Sequence, residues 1–230
     1  MTHPAHGTPP RPGTARGIVC VFAKPPHPGR TKTRLAARVG ERQASALARA
    51  FFDDTWSRVT SVPWLRPVLA STEEDLTAFG LDAAEVWLQG QGDLGQRMER
   101  VLSRALDTAP WVIALGADSP SMPLSALEAA RAALLTHDAV LGPADDGGYY
   151  LLGLRRLPTN LLAQLPWSSP NTLQATHERL IARGLTVALI DRGFDVDEVE
   201  DLERLRRLLE VDPSLAPRTF AVLNSLPPLE

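Results

Sequence analysis

The most unusual residues of the chain are its two lysines, Lys24 and Lys32, since every other basic side chain is arginine. They lie in one proline-rich segment, KPPHPGRTKTR, together with Arg30, Arg34 and Gly29. Cations and free backbone amides at the start of a helix form an anion site, and phosphate is the anion expected there. A compact ammonium suits a point-charge phosphate contact better than a planar guanidinium. The segment is therefore predicted to bind phosphate, and an ordinary solvated basic loop is the alternative.

Carboxylates form the second candidate group. Asp118 follows the apolar run WVIAL directly, in the segment GADSPSMP. A carboxylate that faces a phosphate loop requires a cation between them, and Mg²⁺ is commonly held by one or two carboxylates plus phosphate oxygens. Asp195 and Asp197 alternate in the segment FDVD, so both can point to one side of an extended chain and complete the metal site. The alternatives are turn or helix capping by Asp118, Ser119 or Asp197. Capping alone would explain Asp197, so Asp195 is the preferred candidate of the two for chemistry.

The segment GPADDGGYY at residues 142–150 is the third candidate. Its Asp-Asp-Gly-Gly core is typical of a hairpin turn, and a loop that contacts substrate is an equally good interpretation. Trp167, beside Ser168, is a candidate for the wall of a substrate pocket and also for the core.

A competing motif is the G-x-G-x-x-G pattern of residues 90–95, which Asp118 follows at nearly the spacing of a dinucleotide-binding site. The preceding segment EVWLQ alternates in polarity instead of being uniformly apolar, and Asp118 lies past a strand end in a proline-rich turn. An NAD-binding oxidoreductase therefore stays a lesser alternative.

The elements that must position these residues alternate along the chain. Apolar runs predict strands at 17–23, 67–71, 85–89, 111–115, 139–142, 149–154 and 186–190. Helical spacing predicts helices at 35–59, 94–106, 124–135, 171–183 and 199–209. This order predicts an α/β fold with three α/β/α layers and a mostly parallel central sheet. Ligands bind at the carboxyl ends of such strands, where the candidate residues cluster.

Composition excludes several classes of protein. The chain has 230 residues and a net charge of −3 without a basic run, which argues against binding of nucleic acid through phosphate electrostatics. A single cysteine, Cys20, forms neither an internal disulfide nor a zinc cluster. Residues 1–16 contain four prolines and are predicted to be a disordered tail before a single domain over residues 17–230. With no apolar run of about 20 residues, the protein is predicted to be cytoplasmic and not membrane-bound.

Six segments resemble, in order, the motifs of a known family. They are FAKPPHPGRTKTRLA, QGDLGQRM, GADSPSMP, GPADDGGYYLLGL, PWSSPNTLQAT and DVDEVEDL. The family is that of glycosyltransferase-A-fold transferases found in arsenosugar-type clusters, and the resemblance covers residues 17 to about 205. The layout is more distantly similar to phospholactate guanylyltransferase and the molybdenum-cofactor guanylyltransferases.

The resemblance implies a nucleotide-diphospho-sugar transferase fold, a Mg²⁺ or Mn²⁺ cofactor and a set of functional residues. Asp118, Lys32 and Asp146 would be catalytic, and Asp118 would bind the metal with Asp195 or Asp197. The residues that would bind the nucleotide are Lys24, Gly29, Arg30, Lys32, Arg34, Gly92 and Arg97. The residues that would contact the acceptor are Gly147, Gly148, Tyr149 and Trp167.

The implied function is a metal-dependent glycosyltransferase that uses a nucleotide sugar and a small acceptor. Two departures from the family pattern keep a nucleotidyltransferase that releases pyrophosphate as the alternative. The segment Asp118-Ser-Pro replaces the Asp-x-Asp of sugar transferases, and Glu198 stands where the closing motif commonly has Thr. A non-catalytic nucleotide-binding protein is a lesser alternative, because fold does not guarantee activity.

Overall fold

The computed structural model describes residues 16–81 and 84–226. Seven strands form one sheet in the order β3-β2-β1-β4-β6-β5-β7. The strands are β1 (Gly17–Ala23), β2 (Leu65–Ser71), β3 (Val86–Leu88), β4 (Val112–Gly116), β5 (Ala139–Pro143), β6 (Tyr149–Leu154) and β7 (Val187–Leu189). β6 runs antiparallel to β4 and β5, and the other pairings are parallel. The predicted mostly parallel sheet is confirmed. Except for Arg16, the predicted tail lies outside the described residues.

The helices are α1 (Thr33–Val39), α2 (Glu41–Thr60), α3 (Leu94–Leu106), α4 (Leu124–Ala133), α5 (Thr172–Ala182), α6 (Val199–Val211) and α7 (Pro217–Ser225). The single helix predicted over residues 35–59 is wrong, because Gly40 adopts a φ of 86° and separates α1 from α2. This φ lies in the region that favours glycine, so the chain changes direction there. In the described part of the chain, no helix is long and apolar enough to cross a membrane.

The two faces of the sheet carry separate apolar layers. In β1, Val19 and Val21 pack toward Phe52 of α2, whereas the alternate residues, including Cys20, pack toward Leu102 of α3. This alternation follows from the two-residue period of a strand. Helices therefore cover both faces, as the three-layer prediction requires. Burial raises the pKa of the Cys20 thiol, which is consistent with a structural role in the core.

A third apolar cluster joins α1, α2, α6 and α7 at one end of the sheet. Leu35, Phe51, Leu205 and Leu223 are fully buried in it, one from each of these helices. The cluster anchors α1, whose first turn borders the cavity at the carboxyl ends of the strands, and α6, which begins two residues after Asp197. Sequence periodicity missed α7, which depends on a tertiary contact: the Asp54 carboxylate of α2 accepts hydrogen bonds from two backbone amides in its first turn, at 3.1 and 2.8 Å.

Replacing Asp54 with alanine is expected to lower the free energy of unfolding by about 2 kcal/mol, because two amides of a buried helix start lose their acceptor. Asp54 is only 3% exposed, so water does not readily replace the carboxylate. Urea unfolding of Asp54→Ala measures the loss. Asp53→Ala is the matched control, since Asp53 pairs with Arg49 along the same helix. Equal effects of the two variants would contradict the capping role.

Candidate functional site

A cavity with a volume of about 520 Å³ opens at the carboxyl ends of β1 and β4. Phe22 and Ala23 close its floor where β1 ends, and Ala117 and Asp118 contribute where β4 ends. The loop before α1 forms one wall, and the loops before β6 and α5 form the other. The position agrees with the general rule for open α/β sheets.

The first wall is the basic loop predicted to bind phosphate. Lys24, Arg30, Lys32 and Arg34 all line the cavity. Arg30 pairs with Glu73 at 2.6 Å and Arg34 pairs with Glu198 at 3.3 Å, both near the surface. Surface pairs of this kind contribute little energy, so these guanidinium groups can exchange partners at low cost.

The path of this loop is set by short-range contacts. Thr31 Oγ1 donates to the carbonyl of His27 at 3.0 Å, and Ser45 of α2 donates to the carbonyl of Pro26. Gly29 adopts a φ of 73°, where a side chain is strained. Gly29 therefore shapes the loop rather than lining the cavity, which is a structural role within the predicted phosphate site.

Lys32 occupies the centre of the site. Its Nζ lies 2.6 Å from Asp118 Oδ1 and 2.7 Å from Asp197 Oδ1, and its side chain is only 7% exposed. Burial alone would lower the pKa of Lys32, but the two carboxylates outweigh it and raise the pKa above its usual value. Its backbone is left-handed, with a φ of 49°, at the cap of α1. The ammonium thus places a positive charge between two acidic side chains.

A backbone link holds the two carboxylates in register. The amide of Val196 donates to the carbonyl of Asp118 at 2.9 Å, and the Val196 side chain is fully buried in the third apolar cluster. Asp197 is anchored through its own amide, which donates to Asp201 at 3.1 Å. The segment around residue 197 is therefore docked beside the strand-end turn, although it lies far along the chain.

Asp195 has a different environment from its neighbour. Its carboxylate accepts a hydrogen bond from the Ser119 hydroxyl instead of joining Asp197 at the Lys32 ammonium. Burial raises the pKa of Asp195 to about 6, although the Ser119 hydrogen bond acts in the opposite direction. Of the two predicted alternatives for the second metal ligand, the geometry places Asp197 at the shared cation position.

The donor set fits a divalent ion such as Mg²⁺. Among the described residues, no group of three or more His, Cys, Asp or Glu side chains converges as a ready cation site. Asp118 and Asp197 nevertheless converge on one positive charge, the Lys32 ammonium. Two carboxylates completed by phosphate oxygens are a usual donor set for Mg²⁺. The residues present therefore suit a metal that binds together with a phosphate ligand.

The opposite wall carries hydroxyls and one carboxylate. Asp146, Ser168, Ser169 and Pro170 line the cavity there. The Gly148 amide donates to Asp146 Oδ1 at 2.8 Å, which orients the carboxylate. Ser168 adopts a φ of 56°, a left-handed conformation that costs a serine about 1–2 kcal/mol.

Gly147 joins the two loops of this wall. Its φ is 86°, and a Cβ built there would lie 2.1 Å from the carbonyl oxygen of Pro170. Its own carbonyl accepts a hydrogen bond from the Leu173 amide at 2.9 Å. Gly147 and Gly148, predicted to contact the acceptor, therefore act here through the backbone, by placing Asp146 and the serine loop.

The two predicted aromatic contacts lie behind the wall and do not line the cavity. Tyr149 and Trp167 pack edge to face with ring centroids 6.2 Å apart. Both rings contact the apolar layer beneath the sheet. They support the loop that carries Ser168, and the prediction that they touch the acceptor is not matched by their positions.

Close packing contacts explain the glycines of the segment at residues 90–95. A Cβ at Gly95 would lie 2.1 Å from the Leu162 carbonyl, and one at Gly92 would lie 2.3 Å from the Gln96 side chain. Arg97 donates to the Gln89 side chain at 3.1 Å. Gly92 and Arg97 do not line the cavity, so their predicted contact with nucleotide is not matched by their positions. The dinucleotide alternative loses its support, since β3 is a three-residue strand at the sheet edge.

Sequence reasoning missed several residues of the cavity. Thr31 and Thr33 of the basic loop, together with Ser169 and Pro170 of the opposite wall, line it without having been singled out. The segment PWSSP was a usable signal, because it carries two hydroxyls between prolines directly before α5. The left-handed backbone of Ser168 was not predictable from the sequence.

A family model described as "Uncharacterized protein conserved in bacteria (DUF2064)" matches residues 55–169, half of the chain. The chain belongs to the DUF2064 family. The matched segment of this DUF2064 protein includes Asp118 and the wall from Asp146 to Ser169. The basic loop and the Asp197 segment lie outside it. No curated protein matches the chain.

Solved structures extend the comparison over nearly the whole DUF2064 protein. A Desulfovibrio desulfuricans G20 protein, provisionally described as a nucleotide-diphospho-sugar transferase, is 28% identical with a TM-score of 0.84, covering 92% of this chain and 95% of that one. CMP:2-keto-3-deoxy-manno-octonic acid synthetase complexed with CTP is 15% identical with a TM-score of 0.57, covering 86% and 100%. A 4-diphosphocytidyl-2C-methyl-D-erythritol synthase from Anaerococcus prevotii DSM 20548 is 11% identical with a TM-score of 0.55, covering 85% and 99%.

The comparisons confirm three predictions for this DUF2064 protein. The fold is that of the nucleotide-diphospho-sugar transferases. The resemblance to that superfamily holds, and the chain is a transferase. The two structures below 25% identity show a similarity of fold alone.

Proposed function

We propose that this DUF2064 protein is a metal-dependent transferase that moves a sugar from a nucleotide sugar to a small hydroxyl-bearing acceptor. The observation that carries the proposal is the polarity of the cavity. Lys24, Arg30, Lys32 and Arg34 line it from the basic loop, and the loops before β6 and α5 add the Asp146 carboxylate and serine hydroxyls. The description of the Desulfovibrio desulfuricans G20 protein as a nucleotide-diphospho-sugar transferase supports the donor class.

The basic wall accounts for donor binding. Its four side chains supply positive charge along a diphosphate. When the bond to the sugar breaks, negative charge grows on the departing nucleoside diphosphate. Fixed cations that face this charge stabilise the transition state more than the ground state.

Asp118 and Asp197 are the residues that would hold the metal, because their carboxylates meet at one point beside the basic wall. A divalent ion bound there would supply further neutralisation of the leaving diphosphate. Asp118 is set by its place directly after β4, and Asp197 by the backbone link through Val196. Both carboxylates are therefore positioned before any ligand enters.

Asp146 is suited to act on the acceptor. One of its oxygens is engaged by the Gly148 amide, and this bond orients the carboxylate on the cavity wall. A carboxylate so placed can accept the proton of an attacking hydroxyl. Ser168 and Ser169 supply hydroxyls at the same wall that suit contacts to a polyhydroxyl acceptor.

Nucleotidyl transfer from a nucleoside triphosphate is the second candidate. It is favoured by the segment Asp118-Ser-Pro, which provides one carboxylate where sugar transferases usually have Asp-x-Asp. In that reaction Lys24 and Lys32 would hold the triphosphate, and pyrophosphate would leave. The same site therefore serves both chemistries, and the product distinguishes them.

The deciding experiment incubates the protein with Mg²⁺, panels of nucleoside triphosphates and nucleotide sugars, and a mixture of small sugars and polyols. We expect a nucleoside diphosphate and a glycosylated acceptor, identified by mass spectrometry. Release of pyrophosphate with a nucleotidylated acceptor would establish the second candidate instead. Binding of nucleotide without either product would contradict catalysis and leave a non-catalytic nucleotide-binding protein.

A further inference from the structure

We propose that Lys32 is a built-in counter-ion that competes with the divalent metal for Asp118 and Asp197, and that it passes to the nucleotide phosphates when the metal enters with them. This inference rests on the metal assignment of the proposed function. It gives Lys32 a positioning role toward the metal site in addition to its contact with phosphate.

The Lys32 ammonium lies where the two carboxylates meet. Lys32 Nζ contacts Oδ1 of both Asp118 and Asp197, at 2.6 and 2.7 Å. A divalent ion shared by these two carboxylates would lie close to the same point, whichever of their oxygens it bound. An ammonium and a divalent cation that share two ligands at these distances repel each other strongly, since even a pair of unit charges about 4 Å apart interacts by several kcal/mol inside a protein. The two cations therefore exclude each other.

The Lys32 ammonium can exchange the carboxylates for other partners without a change in the backbone. Its backbone is held at a φ of 49° at the cap of α1, but a flexible stem of about four carbons separates that backbone from the ammonium. The side chain also lies over the ring of Phe51, with Nζ 5.8 Å from the ring centroid, at the base of the basic wall. A rotation of the stem can thus move the charge from the carboxylates toward the cavity while the loop stays in place.

The balance of charge between the carboxylates, the ammonium and the incoming ligands favours joint binding of metal and phosphate. The Lys32 ammonium cancels one of the two negative charges of Asp118 and Asp197, which weakens their attraction for a divalent ion. A metal–diphosphate complex brings negative oxygens that accept the displaced ammonium. Metal and phosphate therefore favour each other's binding, and the coupling passes through Lys32. By linkage, each ligand raises the affinity for the other by the same factor.

Mn²⁺ binding to the Lys32→Met variant tests the competition. We expect the Kd for Mn²⁺ alone, measured from the free-ion signal in electron paramagnetic resonance, to fall at least about tenfold once the ammonium is removed. The Kd for the complex of Mn²⁺ with inorganic pyrophosphate, measured by calorimetry, is expected to rise about tenfold, because a phosphate contact is lost. A purely structural role for Lys32 would weaken both.

Matched variants distinguish this effect from a general loss of positive charge in the loop. Lys24→Met removes the same charge from the same loop, but Lys24 forms no ion pair within the described residues. Its Kd for Mn²⁺ alone should therefore change by less than about twofold. Lys32→Arg keeps the charge and should retain weak binding of Mn²⁺ alone. Lys32→Gln replaces Lys32→Met if the latter fails to fold, as judged by circular dichroism.

Because the chain contains only two lysines, nuclear magnetic resonance can observe the Lys32 side chain directly. Protein labelled with ¹⁵N and ¹³C in lysine should give two side-chain signals, assigned with the Lys24 and Lys32 variants. Addition of Mg²⁺ with pyrophosphate is expected to shift the Lys32 signal and to end the hydrogen-exchange protection that contact with two carboxylates provides.

Three results would overturn the inference: unchanged or weaker binding of Mn²⁺ alone by Lys32→Met, an equal gain in Lys24→Met, or a Lys32 signal that does not respond. None of these measurements requires turnover. If they agree with the inference while the product assay shows no transfer, the proposed function fails and the competition stands. If the assay succeeds and Mn²⁺ binding is unchanged, only the inference fails.

Discussion

The Asp118→Ala variant is expected to lose at least about a hundredfold in metal-dependent turnover, since removal of one preorganised electrostatic group from an active site commonly has an effect of that size. The reason is its position: Asp118 follows β4 directly and meets Asp197 at a common cation. The side chain is 49% exposed, so its removal creates no buried cavity. The measurement is kcat with the donor that the product assay identifies, across a Mg²⁺ titration.

The fold of Asp118→Ala should stay intact, with a free energy of unfolding within about 1 kcal/mol of the parent chain. Asp145→Ala is the matched control, because it removes an equal charge one residue before Asp146. Asp145 faces Arg204 at 2.5 Å and does not line the cavity, so turnover should be nearly unchanged. Retained turnover in Asp118→Ala, with an unaltered Mg²⁺ dependence, would remove Asp118 from the metal site.

The layered fold was predictable because its signals are local. The uninterrupted apolar run of β1 and that of β4 identify strands covered on both faces, and helical spacing identifies α3 between them. Two features were not predictable in this way. The break at Gly40 depends on a backbone angle, and α7 depends on a carboxylate supplied by Asp54, 164 residues before Arg218.

The candidate site was predictable as a set of loops but not as a set of contacts. Strand-end position correctly brought the basic loop and Asp118 to one cavity. The pairing of Lys32 with Asp197 spans 165 residues and depends on how Val196 docks, which no local pattern encodes. The position of Trp167 was not predictable for the same reason. Its ring packs against the apolar layer instead of lining the cavity, and this depends on tertiary burial.

The Gly147→Ala variant is expected to lower the free energy of unfolding by at least about 3 kcal/mol, through a backbone clash added to a left-handed φ. The new Cβ would lie 2.1 Å from the carbonyl oxygen of Pro170, at a φ of 86°. Either the chain strains at this point or the loop that carries Ser168 and Ser169 moves away from Asp146. Urea unfolding measures the first result, and the KM for the acceptor reports the second.

Gly184→Ala separates the two causes, because Gly184 has a φ of 73° and no atom within 4 Å of a built Cβ. Its cost should be only the left-handed strain, about 1 kcal/mol. The difference between the variants therefore isolates the contact between the loops. If Gly147→Ala unfolds no more easily than Gly184→Ala and binds acceptor normally, the two loops are not held together at Pro170. The wall would then be mobile, and Asp146 could not be preorganised toward an acceptor hydroxyl.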